Sequence, residues 1–485
     1  MENLYDVIVI GAGVIGSAIA RELSRYKLRI GVLEKELDVC CETSGRNSGV
    51  LHAGFNNKPG TLMAKFCVEG NKSFEKVSKE LDIPFKRTGK LVVGFTLEDR
   101  EKLLNLKLQG EQNGVVGLEI INKKQIKEIE PNINGNFAMY SPSTGILNPF
   151  TYTVALAENA CSNGASFYFD NEVVDIKRKN EIYEIRTNKN RYKTKWIINA
   201  AGLNSDKVCK MLGINEYTIK PCRGEYFILD KKIGSLLRLP AYPIPNEKEG
   251  GLGIHLTPSI DGNVFIGPSS EYIKSKDDYS VTKNVMDMLI EDGMRIFPHI
   301  KKEYFIRNFA GIRPKLVGKD IGGYKDFIIK KDKKYPNTIN LVGIESPGLT
   351  SAIPIAKYVA ELLKEDIHLE ANLNFNPKRK GIISFSDKSI ELKEKLIKEN
   401  PDYGEVICRC ENITKAEIVE AINNILGVDI VTGIKYRTRA MMGRCQGGYC
   451  EGRIVELIKE IKNKKEEDIL YSKKGSQMFI GKVRK

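Results

Sequence analysis

The chain has 485 residues, of which 41% are hydrophobic and 28% are charged, and its formal net charge is +14. This length allows two or three domains with a sizeable core, and no run of about 20 apolar residues predicts a membrane-spanning helix. The positive charge is spread over many lysines, without the concentrated base-reading motif of a nucleic-acid-binding protein. A solvated surface is the simplest interpretation; attraction to an anionic substrate, an acidic redox partner or a membrane face is the alternative.

The N-terminus and the cysteine content bear on the compartment. The segment MENLYDVIVIGAG has a strand pattern without a basic region, so no signal peptide is predicted. Ten cysteines in such a chain indicate a reducing compartment, in which thiols bind metals instead of forming disulfides. We therefore expect a cytoplasmic location, with attachment to the inner face of the membrane through a partner as a variant.

A glycine-rich turn follows the first predicted strand. The apolar run Tyr5–Ile10 leads into the G-x-G-x-x-G pattern of Gly11–Gly16, a helical pattern and a second strand, Leu28–Glu34. In such a βαβ unit the glycines allow a tight turn, close approach of the backbone to a pyrophosphate, and packing of helix on strand. The helix N-terminus attracts phosphates, and the acid after the second strand binds a ribose hydroxyl. The pattern predicts FAD or NAD bound by Gly11, Gly13, Gly16 and Glu34.

Later strands of the same kind show that the nucleotide domain is discontinuous. Lys195–Gly202 and Thr338–Gly343 are apolar strands that end in small residues, and Ser346–Thr350 opens a helix. Amphipathic strands such as Gly224–Leu229 and Asn263–Ile266 lie between them. The expected fold class is α/β plus α+β, with a Rossmann-like FAD domain, a threaded antiparallel-sheet substrate domain and a small C-terminal helical iron–sulfur domain.

The domain boundaries follow from these elements and from composition. The FAD part is expected at roughly 1–80, 145–215 and 310–371, the substrate part at 81–144 and 216–309, a polar linker at 372–403, the cysteine domain at 404–460 and a charged tail at 461–485. The sequence contains no internal repeat.

Four cysteines near the C-terminus form a C-x-C pair and, 34 residues later, a C-x4-C pair. They are Cys408, Cys410, Cys445 and Cys450. A set of four thiolates suits a [2Fe–2S] or [4Fe–4S] cluster. Structural zinc sites usually show C-x2-4-C pairs, from which the C-x-C pair departs. The spacing therefore favours an iron–sulfur cluster, and zinc or a redox dithiol are the alternatives.

Several blocks within residues 1–370 occur in the order found in a known family. They are Asn47–Gly54, Pro59–Cys67, Arg223–Phe227, Tyr242–Pro245, Gly253–Thr257, Gly311–Pro314 and Ser351–Ile355. These blocks resemble the D-amino-acid-oxidase-like superfamily of FAD enzymes, most of all the L-2-hydroxyglutarate oxidases and dehydrogenases. The resemblance implies FAD instead of NAD. It adds to the cofactor site the residues Thr43, Ser44, Arg46, Asn47, Val173, Gly202, Gly348, Leu349 and Thr350.

The cysteine region resembles a different family. Val406–Glu411 and Arg437–Gly447 are similar to the bacterioferritin-associated-ferredoxin-like [2Fe–2S] domain, which also closes the large subunit of anaerobic glycerol-3-phosphate dehydrogenase. The resemblance implies a [2Fe–2S] cluster on the four cysteines. It also implies a dehydrogenase whose electrons leave singly to a redox partner protein or a quinone-linked subunit.

Two resemblances bear on the substrate. Thr43–Asn47, in which an arginine precedes the asparagine, and Asn148–Phe150 resemble the anaerobic glycerol-3-phosphate enzyme. Glu345–Thr350, in contrast, lacks the Gly-Gly-Lys of glycerol-3-phosphate enzymes. We expect oxidation of sn-glycerol 3-phosphate to dihydroxyacetone phosphate, with L-2-hydroxyglutarate as the alternative substrate. An amine or amino acid comes third, and a non-catalytic electron-transfer protein comes last.

Oxidation of an anionic secondary alcohol needs a base for the hydroxyl proton and a cation for the anionic group. An imidazole accepts a proton at neutral pH, and His52 and His255 both lie in family-like blocks. Arg313, in Gly-Ile-Arg-Pro, can bind a carboxylate or phosphate through two parallel hydrogen bonds. We therefore expect catalytic roles for these three residues, with Arg46 and Arg223 as weaker candidates for the substrate anion.

Overall fold

Two large β-sheets and the helices that cover them make up most of the molecule. A computed structural model describes residues 4–245, 253–317 and 325–481. The strands are β1 (Leu4–Ile10), β2 (Ile30–Leu33), β3 (Val50–Leu51), β4 (Phe85–Arg87), β5 (Lys90–Gly94), β6 (Glu119–Asn122), β7 (Phe137–Ser141), β8 (Gly145–Leu147), β9 (Ser166–Tyr168), β10 (Val173–Lys179), β11 (Ile182–Thr187), β12 (Arg191–Asn199), β13 (Ile219–Leu229), β14 (Ala241–Pro243), β15 (His255–Pro258), β16 (Val264–Gly267), β17 (Glu271–Tyr272), β18 (Phe305–Leu316), β19 (Ile328–Lys331), β20 (Thr338–Val342), β21 (Val406–Cys408) and β22 (Ile413–Thr414).

The helices cover both sheets and build the C-terminal region. They are α1 (Val14–Leu23), α2 (Leu62–Leu81), α3 (Leu97–Gln112), α4 (Lys123–Ile129), α5 (Pro149–Ser162), α6 (Ser205–Met211), α7 (Lys283–Ile296), α8 (Gly348–Lys364), α9 (Ile390–Glu399), α10 (Lys415–Ile422), α11 (Val431–Thr438) and α12 (Glu451–Lys462). Among the residues described, none of these helices combines the length and the apolar character that a membrane crossing requires.

The first sheet is the nucleotide-binding one. Its central strand β1 lies between β2 and β12 in parallel register, and β9 and β20 extend the parallel set on either side. Val7, Val9 and Ile8 in β1 are fully buried because helices pack on both faces of such a sheet. In open parallel sheets ligands bind beyond the carboxyl ends of the strands. The turn after Ile10 is therefore the expected place for a cofactor.

The second sheet is mostly antiparallel and is threaded between segments of the first. Its strand order is β17-β13-β16-β15-β14-β5-β7-β6, with β18 on the other side of β13. The β13–β18 ladder pairs Cys222 with Arg313, and the β15–β16 ladder begins at His255 opposite Gly267. This sheet therefore carries two of the predicted catalytic residues, His255 in β15 and Arg313 in β18, with β13 and β16 between them.

The C-terminal region has its own small core. Strands β21 and β22 form a hairpin, and helices α10, α11 and α12 pack around buried apolar residues such as Ile418, Ile434 and Ile454. The segment predicted as a charged tail folds back onto this core: Val431 donates its backbone N–H to the Leu470 carbonyl, and Ile469 is fully buried. The segment predicted as a linker contains helix α9.

The C-terminal region docks on the nucleotide domain through buried polar and aromatic contacts. Arg437 donates two hydrogen bonds to the Asp38 carboxylate, at 2.6 and 3.0 Å, and both side chains are at most 1% exposed. Phe150 stacks on Tyr436 with ring centroids 4.1 Å apart and planes at 10°. Phe150 is held in place because the Asn148 side chain caps helix α5. The two regions therefore form a packed interface.

Candidate functional site

A large cavity opens at the carboxyl ends of β1 and β2 and extends between the two sheets. The predicted cofactor residues that line it are Gly11, Gly13, Glu34, Thr43, Ser44, Arg46, Asn47, Val173, Gly202, Gly348 and Leu349. The predicted catalytic residues His52, His255 and Arg313 line it too. The structure therefore brings most of the predicted site residues together. Gly16 and Thr350 do not line the cavity, but each contacts a residue that does: Gly16 packs against Gly11, and Thr350 accepts a hydrogen bond from His52.

The turn after β1 has the shape needed for close approach of a dinucleotide. Gly11 has a φ of +103°, and a Cβ there would lie 2.6 Å from the Ala200 carbonyl oxygen. A Cβ at Gly16 would lie 1.9 Å from the Gly11 carbonyl oxygen, so the helix can pack on the turn only with glycine at this position. A side chain at Gly13 would meet Ser44, whose Oγ accepts a hydrogen bond from the backbone of Val14 at the start of helix α1.

Glu34 lies at the end of β2 as the sequence predicts. Its carboxylate accepts hydrogen bonds from the backbone N–H groups of Ala12, at 2.6 Å, and Glu36, at 2.9 Å. Burial raises the pKa of Glu34 to about 7, while these two bonds act in the opposite direction. A buried carboxylate with remaining acceptor capacity suits a ribose hydroxyl. The glycine turn and Glu34 therefore fit the adenosine and pyrophosphate parts of FAD.

The segment Thr43–Asn47 ties the cofactor turn to the second sheet. Thr43 donates its hydroxyl to the Ile312 carbonyl at 2.7 Å, and Asn47 donates its amide to the Ser44 carbonyl at 2.7 Å. The Arg46 guanidinium lies 4.2 Å from the centre of the Tyr279 ring. Because Ile312 directly precedes Arg313, the bond from Thr43 fixes the position of the cofactor segment relative to the predicted substrate-binding arginine.

His255 has the geometry of a proton acceptor. Its Nδ1 lies 2.9 Å from the Gly253 carbonyl, which can only accept, so Nδ1 carries the proton. Its Nε2 is buried and has no hydrogen-bond partner among the described residues. The ring stacks on Tyr242 with centroids 3.6 Å apart. Burial lowers the pKa of His255 well below its usual range, so the imidazole is neutral, with a lone pair on Nε2.

His52 lies at the same end of the cavity. Its backbone N–H donates to the Thr350 hydroxyl at 3.0 Å, and its Nε2 lies 3.5 Å from the Ser346 hydroxyl. Burial, together with the Lys90 ammonium, lowers the pKa of His52 to about 3. His52 is therefore neutral as well, and Thr350 positions it from the start of helix α8.

Arg313 supplies a cation at this end of the cavity. Its guanidinium donates to the Ser269 carbonyl at 3.2 Å and contacts the Cys222 thiol at 3.7 Å. Glu345, an acid in the cavity lining, forms a buried ion pair with Lys315 at 2.8 Å. Positive charge on Lys90 and Arg313 further lowers the pKa of His255. These residues therefore form one electrostatically coupled group.

Arg223, a weaker candidate from the sequence, does not belong to this group. Its guanidinium bonds to Glu271 at 2.7 Å and to Asp278 at 3.0 Å, and it does not line the cavity. Carboxylates already neutralise Arg223, so the structure does not support its weaker candidacy as a ligand of the substrate anion. Arg46, the other weak candidate, lines the cavity.

Lys90, which the sequence does not single out, lies directly behind the cavity lining. It is 1% exposed, its Nζ has no hydrogen-bond partner in the described part of the chain, and it lies 3.4 Å from the centre of the Tyr242 ring. Burial lowers the pKa of Lys90 to about 7. Because Tyr242 stacks on His255, Lys90 lies one ring behind the proposed base. A lysine at the start of a short strand carries no sequence signal of such burial.

The four C-terminal cysteines are arranged as two pairs. Cys408 and Cys450 are buried, Cys410 and Cys445 are exposed, and the thiols interact within each of these two pairs. The contact with Cys450 lowers the pKa of Cys408 to about 6. Across the described ranges, no three histidine, cysteine or acidic side chains gather as ligands of one metal ion. Two pairs of thiols fit a binuclear cluster better than a zinc ion that takes four ligands at one centre.

Comparison with known families agrees with both sites. The family model described as FAD dependent oxidoreductase matches residues 6–362. The chain belongs to the FAD-dependent oxidoreductase family. The model described as BFD-like [2Fe-2S] binding domain matches residues 406–460. The two predicted cofactors, FAD and a [2Fe–2S] cluster, are thereby confirmed, as is the predicted fold class.

Individual relatives extend this result. A glycerol 3-phosphate dehydrogenase of Caloramator mitchellensis is 41% identical over 99% of this chain and 98% of its own length. A mitochondrial L-2-hydroxyglutarate dehydrogenase of Nematostella vectensis is 30% identical over 74% of this chain and 91% of its own length. The structure of an L-alpha-glycerophosphate oxidase of Mycoplasma pneumoniae with FAD bound superimposes with a TM-score of 0.73 at 30% identity, over 78% of this chain and 99% of that one.

Proposed function

We propose that this protein is an FAD-dependent dehydrogenase that oxidises sn-glycerol 3-phosphate to dihydroxyacetone phosphate and exports the electrons through its [2Fe–2S] cluster. The observation that carries the proposal is the end-to-end match to a relative named glycerol 3-phosphate dehydrogenase, over 99% of this chain and therefore through the cysteine domain. The match to the L-2-hydroxyglutarate dehydrogenase relative covers 74% of the chain.

Three side chains of the cavity support this reaction: Arg313, His255 and His52. Arg313 binds the anionic group of the substrate, because a guanidinium forms two parallel bonds to phosphate oxygens. His255 takes the hydroxyl proton on Nε2, the buried ring nitrogen without a partner in the described chain. FAD, when bound, supplies the acceptor for the hydride of the carbinol carbon. His52 lines the same cavity and would contact the FAD bound there.

The cysteine domain supplies the exit for electrons. Cys408, Cys410, Cys445 and Cys450 would hold the cluster, which would pass electrons on one at a time. A one-electron centre next to a two-electron enzyme suits a redox partner protein or a quinone-linked subunit better than direct use of oxygen. Ten free thiols among the described residues favour a reducing, cytoplasmic compartment.

L-2-Hydroxyglutarate is the second candidate substrate. The carboxylate of a 2-hydroxy acid would meet Arg313 with the same bidentate geometry as a phosphate. Several relatives named L-2-hydroxyglutarate dehydrogenase are 29–33% identical over 73–74% of this chain. The two substrates differ in their anionic groups, one phosphate against two carboxylates, so one measurement separates them.

The test is anaerobic stopped-flow bleaching of the flavin absorbance in the purified holoenzyme. Glycerol 3-phosphate should bleach the flavin at catalytically competent rates, and L-2-hydroxyglutarate at the same concentration should act far more slowly. Fast bleaching by L-2-hydroxyglutarate, with little response to glycerol 3-phosphate, would reverse the choice. Failure of both compounds would contradict oxidation of a small anionic alcohol.

A further inference from the structure

The exposed side of the cysteine site is flanked by arginines. Cys410 and Cys445 reach solvent, whereas Cys408 and Cys450 are buried. Arg409 and Arg444 immediately precede the two exposed cysteines and are exposed themselves. The two exposed thiols, those of Cys410 and Cys445, therefore lie next to positively charged side chains.

Two further cations lie at the same edge, although they come from the second sheet. Arg307 donates to the Gln446 side chain at 3.0 Å, and Gln446 directly follows Cys445 in the chain. Lys231 forms an ion pair with Glu411 at 2.7 Å, and Glu411 directly follows Cys410. We call Lys231, Arg307, Arg409 and Arg444 the basic rim. It is built from both domains around the exposed thiols.

The acidic partners of the rim cations are buried, whereas the cations are exposed. The electrostatic potential at the surface of the rim is therefore positive. The Lys231 side chain is 41% exposed, whereas that of its partner Glu411 is 3% exposed. The Arg444 side chain is 55% exposed, and Asp230, 3.6 Å away, is 11% exposed. Arg409 forms no ion pair with any described residue, and its guanidinium lies 4.2 Å from the exposed Tyr449 ring. Exposed cations with buried counter-charges attract anionic partners from solution.

We propose that the basic rim is the docking surface for an acidic protein that carries one electron at a time. Oxidation of one alcohol to a ketone releases two electrons and two protons. Two carrier molecules would each take one electron in turn from the cluster that the exposed thiolates help to hold, and the protons go to solvent. The source of the electrons rests on the proposed function, whereas docking of the carrier does not require substrate.

The layout of the rim favours a small protein over an anionic membrane. Basic segments that bind membranes are clusters of about four to eight lysines or arginines close together in sequence. The rim cations instead come from separate segments and frame two thiols and an aromatic ring. Such a charged edge with a central aromatic residue is typical of steered, transient protein contacts.

The experiment measures binding of a labelled, acidic plant-type [2Fe–2S] ferredoxin to the oxidised holoenzyme without substrate, by fluorescence anisotropy at several salt concentrations. Wild-type protein should bind more weakly as salt rises. The variant Arg409→Glu/Arg444→Glu should weaken binding at least about tenfold at low salt, since each reversal replaces attraction by repulsion. The matched control is Arg178→Glu/Arg191→Glu, which makes the same charge change at exposed positions in β10 and β12.

A second variant guards against loss of the cluster next to the cysteines. Lys231→Glu/Arg307→Glu changes the rim from the second sheet, and the visible spectrum of each variant reports its cluster content. Equal binding by rim and control variants would overturn the proposal, as would absence of ferredoxin binding by the wild type at low salt. Rim variants that bind ferredoxin normally but lose binding to phosphatidylserine vesicles would also overturn it, in favour of a membrane. None of these outcomes depends on which alcohol bleaches the flavin.

Discussion

The cavity and the cysteine site differ in their exposure to solvent. At the catalytic end of the cavity, burial keeps His52 and His255 neutral and lowers the pKa of Lys90 to about 7. At the cysteine site, Cys410 and Cys445 are exposed. Transfer of a proton and a hydride needs a dry, preorganised pocket. Delivery of an electron to another protein needs an accessible edge, so each site has the exposure that its proposed step demands.

The contact between the nucleotide domain and the cysteine domain is buried and closely packed. Asp38 and Arg437 form a buried ion pair, and Phe150 stacks on Tyr436. Phe150 also touches the cofactor segment, since a Cβ at Gly45 would lie 2.7 Å from its ring. The segment that lines the cofactor cavity and the cysteine domain thus share one aromatic contact. Five predictions break or sharpen the comparison between the buried site and the exposed site.

The largest effect is expected at the exit. Cys445→Ser should nearly abolish turnover with one-electron acceptors, because the cluster loses a thiolate ligand, while anaerobic bleaching of the flavin by substrate keeps its rate. Steady-state assays and stopped-flow absorbance separate the two steps. Cys161→Ser, at a partly exposed cysteine in helix α5, is the control. Unchanged turnover in Cys445→Ser would mean that electrons leave by another route.

The second-largest effect is expected on the rate of flavin bleaching, and it distinguishes the roles of His255 and His52. His255→Gln should slow flavin bleaching by about 10²- to 10⁴-fold, the usual contribution of a general base. His52→Gln should slow it less, since His52 is assigned a contact and no proton transfer. Flavin content is measured for both variants to exclude loss of cofactor. A larger defect in His52→Gln would transfer the role of base to His52.

Arg313 should act mainly on substrate affinity. Arg313→Met removes a guanidinium whose bonds to an anion are worth about 1.5–3 kcal/mol each. We expect half-saturation of flavin bleaching at about 10²-fold or higher substrate concentration. Arg313→Lys should recover part of the affinity, because the charge returns without the bidentate geometry. Equal half-saturation in wild type and Arg313→Met would remove this residue from the substrate site.

The interface between the regions should respond to loss of one charge. Asp38→Asn removes the hydrogen-bonded partner of the buried Arg437 guanidinium and leaves only the Glu158 carboxylate, 3.6 Å away. Loss of one partner of a buried ion pair typically destabilises by about 3 kcal/mol. Limited proteolysis should then release the C-terminal region faster than in the wild type. The double variant Asp38→Asn/Arg437→Met should recover much of the resistance, as no uncompensated charge stays behind. Equal proteolysis of all three proteins would show that the ion pair does not hold the interface.

The smallest effect concerns Lys90 and pH. Its pKa is about 7 in the folded protein, below the ordinary lysine value, so the folded state binds fewer protons than the unfolded state above about pH 7. Stability should therefore rise between pH 7 and pH 9, and Lys90→Met should remove part of that rise. Thermal unfolding at both pH values measures this, with the exposed Lys86→Met as control. An identical rise in Lys90→Met and wild type would contradict a buried ammonium.

Sequence pattern predicts the parts of this molecule whose chemistry is local. The glycine turn, Glu34 and the spacing of the four cysteines are readable because the backbone there leaves few residue choices. The cavity is built from distant strands, so nothing in the sequence shows that Lys90 lies behind Tyr242 or that carboxylates neutralise Arg223. From sequence alone, the block Asn148–Phe150 indicates the substrate, through its resemblance to the glycerol-3-phosphate enzyme. In the structure it supports the contact of Phe150 with Tyr436, and so reports the docked cysteine domain.

The most direct test follows flavin and cluster in one sample. The holoenzyme is mixed anaerobically with glycerol 3-phosphate, quenched by rapid freezing at increasing times, and examined by absorbance and electron paramagnetic resonance. The account predicts that flavin absorbance falls first and that the signal of a reduced [2Fe–2S] cluster then grows within the turnover time. Bleached flavin beside a cluster that stays oxidised for many turnover times would contradict the proposed route from cavity to exposed thiols.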